Sequence, residues 1–540
     1  MRFSLFALPL ALSFAAAAPA QAPAGAPEFT PEGFRAHVAF LGDDRLEGRD
    51  AGSRGYELGA LYVGTRFEAL GLKPVAKDGW FQQVPFLEYK PAQGPAAVTI
   101  GGRRFEHGRE ILLAPTPEPG PVKIEAPVVF AGYGVVSPEL GLDDYKGLDV
   151  RGKIVALFGG YPKGLRSDVG AHLNADKRRV AAERGAVGVV MLRSRAESEL
   201  RPFARMARFA GEPGLTWLEG DSPYSAAPGL RFRATLDTPA AEALFAGSRR
   251  SFARLLDDAQ KGRSLPRFAL KTRFGVEQAN EMRRVTSPNV LAVLPGSDPA
   301  LAGEYVLLMA HLDGLGVREG QEGDQINNGA MDNATGVATL LEVARAMIES
   351  GERPRRSILF AAVTAEEHGL LGAQYLAKHP VTGEGRIVGV VNLDMPVLLY
   401  DFKDVIAFGA EHSTMGPIVS RAAERMGVKL SPDPLPQEGL FTRSDHYRFV
   451  QEGIPAVFLM TGFENGGREK FTDFLATHYH KPSDDLKLPI DWQAAAKFAR
   501  INYLIAREIA DSPEAPRWYA DSFFGKALAP RAEKAERPRP

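Results

Sequence analysis

From Asn289 onward the chain repeats one unit: a short run of β-branched and apolar residues, then a polar turn. The runs are "YVLLMA", "RSILFAAV", "IVGVVNL", "DVIAFG" and "IPAVFLM". Each is too short for a buried helix and lacks the apolar/polar alternation of a strand with one wet face, so each predicts a strand buried on both sides. Between the first two, "ATGVATLLEVARAMIES" places Val337, Leu340, Leu341, Ala344, Met347 and Ile348 on one helical stripe. Strands of this kind alternating with amphipathic helices predict an α/β fold, with a mixed, mostly parallel central sheet flanked by helices.

In an open sheet of this kind, functional groups gather just beyond the carboxyl ends of the strands. Applied here, the rule yields a short set of residues. His311 and Asp313 follow the first run, Glu366 and Glu367 the second, and Asp394 the third; Asp332 precedes the amphipathic helix and His480 follows the last run. Cysteine is absent from all 540 residues, so thiolate chemistry, disulfides and cysteine-rich zinc sites are excluded together. A metal site in this chain must use His, Asp and Glu.

Two imidazoles and three carboxylates serve two ions if one carboxylate is shared. His311 and Asp394 then hold one ion, Glu367 and His480 the other, and Asp332 bridges. Three protein ligands and an open position per ion is the catalytic pattern for zinc. Glu366 is left over as a general base acting on a water between the ions, and Asp313 is placed to orient the His311 imidazole. Taken alone, Glu366 and Glu367 in "FAAVTAEEHGLLGA" would be acidic residues opening a helix. Asp332 can also be read as the N-cap of a helix starting near Thr335, and capping and bridging are not separable here. Asp445 and His446 either line the substrate side or brace a loop. His478 competes with His480, and His37, His107, His172, His368, His379 and His412 read as structural or surface residues.

Upstream, "GYELGALYVGTRFEALGLKP" predicts a helix with Leu58, Leu61, Tyr62, Thr65 and Ala69 near one face. Residues from about 79 to 121 are strand-like and rich in Gly and Pro. The blocks "VVFAGYG", "DDYKGLDVRGKIV" and "KRRVAAERGAVGVV" resemble a protease-associated domain, a small non-catalytic α/β module inserted in exported peptidases. The expected organisation is a signal peptide over 1–20, an N-terminal part of the main domain over 21–80 and an insert over 81–265 with its core at about 120–240. The catalytic domain follows over 266–520, with a disordered, charged, Pro-rich tail over 521–540. "MRFSLFALPLALSFAAAAPAQAPA" has the grammar of an export signal, and cleavage after Ala20 avoids an X-Pro scissile bond at Pro23. The expectation is a soluble protein, periplasmic or secreted, with no membrane insertion. A formal net charge of -1 gives no global field to recruit nucleic acid.

The blocks "AHLDGLG", "NNGAMDNATG", "TAEEHGLLGA", "NLDM", "RSDHYRFVQEGIPAVF" and "YHKPSDD" resemble the co-catalytic di-zinc aminopeptidases, the group of bacterial leucyl aminopeptidases and aminopeptidase Y. The resemblance implies a zinc exopeptidase-like fold, the same ligand set with Glu366 as base, and a cis peptide at Asp332-Asn333. It also favours His480 over His478, through the H-x-P-x-D block. The expected function is removal of N-terminal residues from peptides with a free N-terminus, using two Zn2+ per chain. Manganese or cobalt could occupy such ligands as well. Rival expectations are a di-zinc carboxypeptidase or dipeptidase, with Arg443 or Arg468 binding a terminal carboxylate, a mononuclear glutaminyl cyclase, or a zinc-binding scaffold without activity.

Overall fold

The computed structural model describes residues 27–538 apart from 93–95, 119, 209, 319 and 321. The signal-peptide expectation, residues 1–20, lies outside the described residues. The chain builds two large sheets. At the centre of the first, four strands run parallel, in the spatial order Ser357–Val363, Glu304–His311, Arg386–Leu393, Ala456–Thr461. These are the apolar runs expected from the sequence. Every residue of the strands Ser357–Val363 and Ala456–Thr461 is buried. The antiparallel pairs lie on the flanks: Asn280–Leu294 against Ser357–Val363 on one side, and Asp404–Phe408 against Ala456–Thr461 on the other. Helices Thr335–Glu349 and Trp492–Asp511 pack on this sheet with Pro31–Leu41 and Arg54–Ala69. The fold is the mixed α/β architecture expected.

The second sheet has eight strands and belongs to the insert, with helices Ser167–Glu183, Thr238–Leu244 and Phe252–Gln260 closing its cores. The sheets correct the expected boundaries. Strands Phe81–Pro91 and Gly214–Glu219, assigned to the insert, hydrogen-bond in the first sheet. Strand Arg267–Gln278, assigned to the catalytic domain, belongs to the second. Only Ala279 separates it from strand Asn280–Leu294, so the chain passes between sheets without a linker whose composition could mark the change.

The structure shows which face of one expected helix is buried, and it overturns one further expectation. The helix Arg54–Ala69 buries Gly55, Tyr56, Gly59, Ala60, Val63, Gly64 and Phe67, while Leu58 and Leu61 face solvent. Small residues stand among Tyr56, Val63 and Phe67 on this inner face, and at Gly55 the neighbouring chain comes too close for any side chain. A Cβ at Gly55 would lie 1.7 Å from the Leu46 carbonyl oxygen. The tail is also ordered within the described residues. Helix Phe523–Leu528 is capped by Ser522, Phe524 is fully buried, and Trp518 donates its indole N–H to Gly453 O at 2.7 Å. Aromatic anchors override the charged, Pro-rich composition. Among the described residues, no helix is long and apolar enough to cross a membrane.

Candidate metal centre

Three adjacent parallel strands end at the same edge, and each delivers candidate ligands there. His311 is the last residue of the central strand, Asp394 follows Leu393, and Glu366 and Glu367 follow Val363 in a tight turn. That turn is not a helix start. The next helix begins only at Leu371, so helix electrostatics does not account for the adjacent glutamates. Asp313 fixes the turn instead. Its carboxylate accepts the backbone N–H of Glu366 at 3.0 Å and of Glu367 at 3.1 Å. The expected role of Asp313 is therefore corrected in part. The His311 Nδ1 faces the Asp313 backbone carbonyl at 3.1 Å, and the Asp313 carboxylate is 3.9 Å away. The backbone carbonyl of Asp313, rather than its carboxylate, is therefore the group within hydrogen-bond distance of the imidazole.

Asp332 lies at the centre. Its Oδ1 is 3.2 Å from His311 Nε2, and its Oδ2 is 3.4 Å from His480 Nε2. His311 Nε2 is also 3.2 Å from Asp394 Oδ1, and His480 Nε2 is 3.3 Å from Glu367 Oε2. Two triads thus share Asp332, one oxygen to each: His311, Asp332, Asp394 and Asp332, Glu367, His480. Ligand atoms held tetrahedrally about zinc at 2.0–2.1 Å stand roughly 3.4 Å apart. The observed spacings match, and the donor set of two imidazoles and three carboxylates suits such an ion. All five expected ligands converge; His478 instead turns its ring to Ser483.

The capping alternative for Asp332 falls to its neighbour. Asn333 Oδ1 accepts the N–H of Gly336 at 2.9 Å and that of Met395 at 3.2 Å, and its Nδ2 donates to Leu393 O at 2.9 Å. One side chain caps the helix and ties it to the strand that carries Asp394. The peptide between Asp332 and Asn333 is cis. Asp484 holds the other side, accepting the N–H of Met331 at 2.8 Å and of Asp332 at 3.0 Å. Asp394 is steadied by Ser444, whose hydroxyl donates to its Oδ2 at 2.6 Å.

Beneath the centre, fully buried Arg49 donates to the carbonyls of Leu312 (2.9 Å), Asn328 (2.6 Å) and Gly329 (3.1 Å), and to that of Leu41. Arg49, Asn333, Asp484 and Ser444 were not singled out from the sequence. The last three lie inside the quoted blocks and could have been found there, whereas Arg49 is 263 positions from its partner Leu312 and carries no local signal. Several non-glycine residues beside the ligands have positive φ, among them Arg49 (54°), Ala365 (54°), Met395 (37°) and His480 (59°). Strain of this kind, about 1–3 kcal/mol each, concentrates at functional sites.

The electrostatics fit a cation site. Burial pushes Glu366 well above the ordinary carboxylate range, and Glu367 up to about 8 with Asp332 adding to the effect. Burial also lifts Asp484 to about 7. Burial alone would lower His311, but the Asp394 and Glu366 carboxylates hold it well above its usual value. Clustered carboxylates without an ion repel one another, and cations between them relieve this.

Glu366 bonds to neither imidazole and faces a cavity of about 480 Å³ together with Asp332, Asp394, His311 and His480. Met395, Leu440, Phe458, Met460, Phe471 and Leu475 supply an apolar wall. Asp445 and His446 are fully buried and take no part in that wall, whereas Ser444 and Arg443 do. Of the remaining histidines, His412 bonds Asp168 (2.9 Å) and His172 bonds Tyr447 (2.5 Å), both across the insert.

With this geometry established, relatives are informative. Residues 289–506 match the model of peptidase family M28. Leupeptin-inactivating enzyme 1 of Streptomyces exfoliatus is 30% identical over 184 residues, 33% of this chain and 36% of that one. Aminopeptidase Y of Saccharomyces cerevisiae is 29% identical over 255 residues, 45% and 40% of the two chains. The chain thus spans between a third and two fifths of the length of these curated relatives. The solved aminopeptidase from Aneurinibacillus sp. strain AM-1 shares the fold, with a TM-score of 0.51 at 21% identity over 90% of this chain and 95% of that one. The segment that matches the model of peptidase family M28, residues 289–506, carries all five candidate ligands.

Proposed function

We propose that this chain is a zinc-dependent aminopeptidase that holds two ions and trims N-terminal residues from peptides. The observation that carries the reading is Asp332, with one oxygen turned to each triad and Glu366 free beside it. His311 and Asp394 would hold one ion, Glu367 and His480 the other, with Asp332 between. When bound, such ions supply Lewis acidity toward the scissile carbonyl and acidify water at neutral pH. Glu366 accepts a proton from the attacking water and delivers it to the departing amine, and burial raises its basicity for that task. Asp313 holds the backbone of both glutamates, which keeps base and ligand in register. The apolar wall receives the side chain of the departing residue. The proposal includes export, supported by the N-terminal stretch alone.

The test offers one peptide with a free and with an acetylated N-terminus to zinc-loaded protein and to Glu366→Gln. The expected result is stepwise trimming of the free peptide only. Turnover should fall by roughly 10²- to 10⁴-fold in the variant, the usual span for losing a general base, with zinc still bound. Residues leaving from the other end would favour the carboxypeptidase rival, and zinc binding without turnover the inert scaffold.

A further inference from the structure

The cavity over the metal centre is not walled by the M28 segment alone. Two short helices of the insert, Arg195–Leu200 and Phe203–Ala207, bring Arg201, Arg205 and Met206 into the same wall as Glu366, Asp394 and His480. The segment is anchored from behind. Ser194 and Glu197 form a reciprocal cap at the first helix. Buried Arg193 donates to the carbonyls of Glu197 (3.0 Å) and Arg201, and its guanidinium lies 5.8 Å from the ring centre of buried Phe203. These contacts use backbone, so the Arg201 and Arg205 head groups are exposed and have no carboxylate partner among the described residues. Arg443 adds a third cation, 3.6 Å from Glu438, also on the wall.

The cavity is therefore polarised, with carboxylates at the metal centre and unpaired guanidinium groups contributed by the insert. A volume of about 480 Å³ is that of a site for a small ligand rather than a long chain. An extended peptide advances roughly 3.3–3.6 Å per residue. A carboxylate one or two residues beyond the scissile bond therefore stays within a space of this size. Guanidinium groups bind carboxylates with a planar fork that an ammonium lacks.

We propose that Arg201 and Arg205 bind a carboxylate on the leaving side of the scissile bond, so that the enzyme prefers short peptides with a free C-terminus or an acidic residue just past the cut. This rests on the aminopeptidase reading. Four substrates separate the sources of the carboxylate: Leu-Gly-Gly and its C-terminal amide, and Leu-Asp-Gly-amide beside Leu-Asn-Gly-amide. Each is measured with the zinc-loaded parent and with the double variant Arg201→Gln, Arg205→Gln, and both arginines are exposed enough to replace without disturbing a core.

The parent should favour the carboxylate member of at least one pair by roughly five- to tenfold in kcat/KM, as for one or two exposed charge pairs. The difference should be carried by KM and shrink at about 0.5 M salt. The double variant should bring the ratio close to one. A ratio of one in both pairs for the parent overturns the assignment, as does a ratio that survives in the double variant. If none of the four substrates loses leucine, the aminopeptidase reading itself fails and this inference falls with it.

Discussion

Asp313 shows how much a single carboxylate arranges. Its two oxygens occupy the N–H groups of Glu366 and Glu367, and its own carbonyl meets the His311 ring. Asp313→Asn keeps the shape but turns one acceptor into an NH2 group facing an N–H donor. The turn should then shift, and with it both Glu367 and Glu366, the proposed ligand and base. Supporting contacts of this kind typically change metal affinity by roughly 10–100-fold, and displacement of a reacting group by about 1 Å costs on the order of 10²-fold in rate. The expected outcome is a matching loss of zinc affinity, read by competition with a chelator, and of kcat, with little change in KM. Unaltered zinc affinity would mean that Asp313 only supports the chain. At this scale the convergence of the five candidate ligands was readable from the sequence, because strand ends and residue chemistry point to them. The groups that hold the ligands were not. Arg49 acts through backbone carbonyls at distant positions, and the bonds of Asn333 and Asp484 are also largely to backbone, which no side-chain pattern encodes.

At the scale of elements, the site depends on how closely helix Thr335–Glu349 meets the end of strand Arg386–Leu393. Gly336 makes that approach possible. A Cβ there would lie 2.1 Å from Asn333 Oδ1 and 2.4 Å from the Leu393 carbonyl oxygen. Gly336→Ala should therefore push the helix off the strand, break the Asn333 cap, and separate Asp332 from Asp394. Overpacking of this kind costs about 1–3 kcal/mol, to be read from urea unfolding of the metal-free protein, and zinc affinity should fall in parallel. A variant within about 0.5 kcal/mol of the parent, the level of an unconstrained surface change, would show that the contact has slack. Small residues at close contacts also explain what sequence periodicity left open. The parallel strands were legible because burial on both faces leaves an uninterrupted apolar run. Which face of helix Arg54–Ala69 is buried was not legible, because Gly55, Gly59, Ala60 and Gly64 share that face with Tyr56, Val63 and Phe67 while the large apolar Leu58 and Leu61 face solvent. The sheet boundaries were hidden because strands Arg267–Gln278 and Asn280–Leu294 follow one another with one residue between them.

For the whole molecule, the question is what holds the insert over the cavity. Part of the answer is Asp168, 8% exposed, at the start of helix Ser167–Glu183. Its Oδ2 meets His412 Nε2 at 2.9 Å and Arg166 Nη2 at 2.7 Å, and Arg166 also reaches Glu411 at 3.4 Å. His172 meets the Tyr447 hydroxyl one turn further on. Burial alone would raise the Asp168 carboxyl, but the bonds from His412 and Arg166 outweigh it and hold it well below 3.8. The direction decides the pH window. A carboxyl depressed in the folded state contributes stability that is present above its unfolded value near 3.8, and that contribution is lost as pH falls from there toward the folded value. Asp168→Asn should therefore cost a similar amount at pH 7 and pH 5. The cost is roughly 1–3 kcal/mol for leaving buried partners unmatched, with little from the exposed Arg166 side of the pair. Below pH 4 the parent should lose stability more steeply than the variant, and the two curves should converge. Because the same insert carries Arg201 and Arg205, the variant should also lose part of the carboxylate preference at pH 7. Urea midpoints across pH 3 to 7, read beside the substrate ratio, separate the two effects. A midpoint that drops while the ratio holds would mean that the chain crossings between the two sheets, rather than this ion pair, position the arginines.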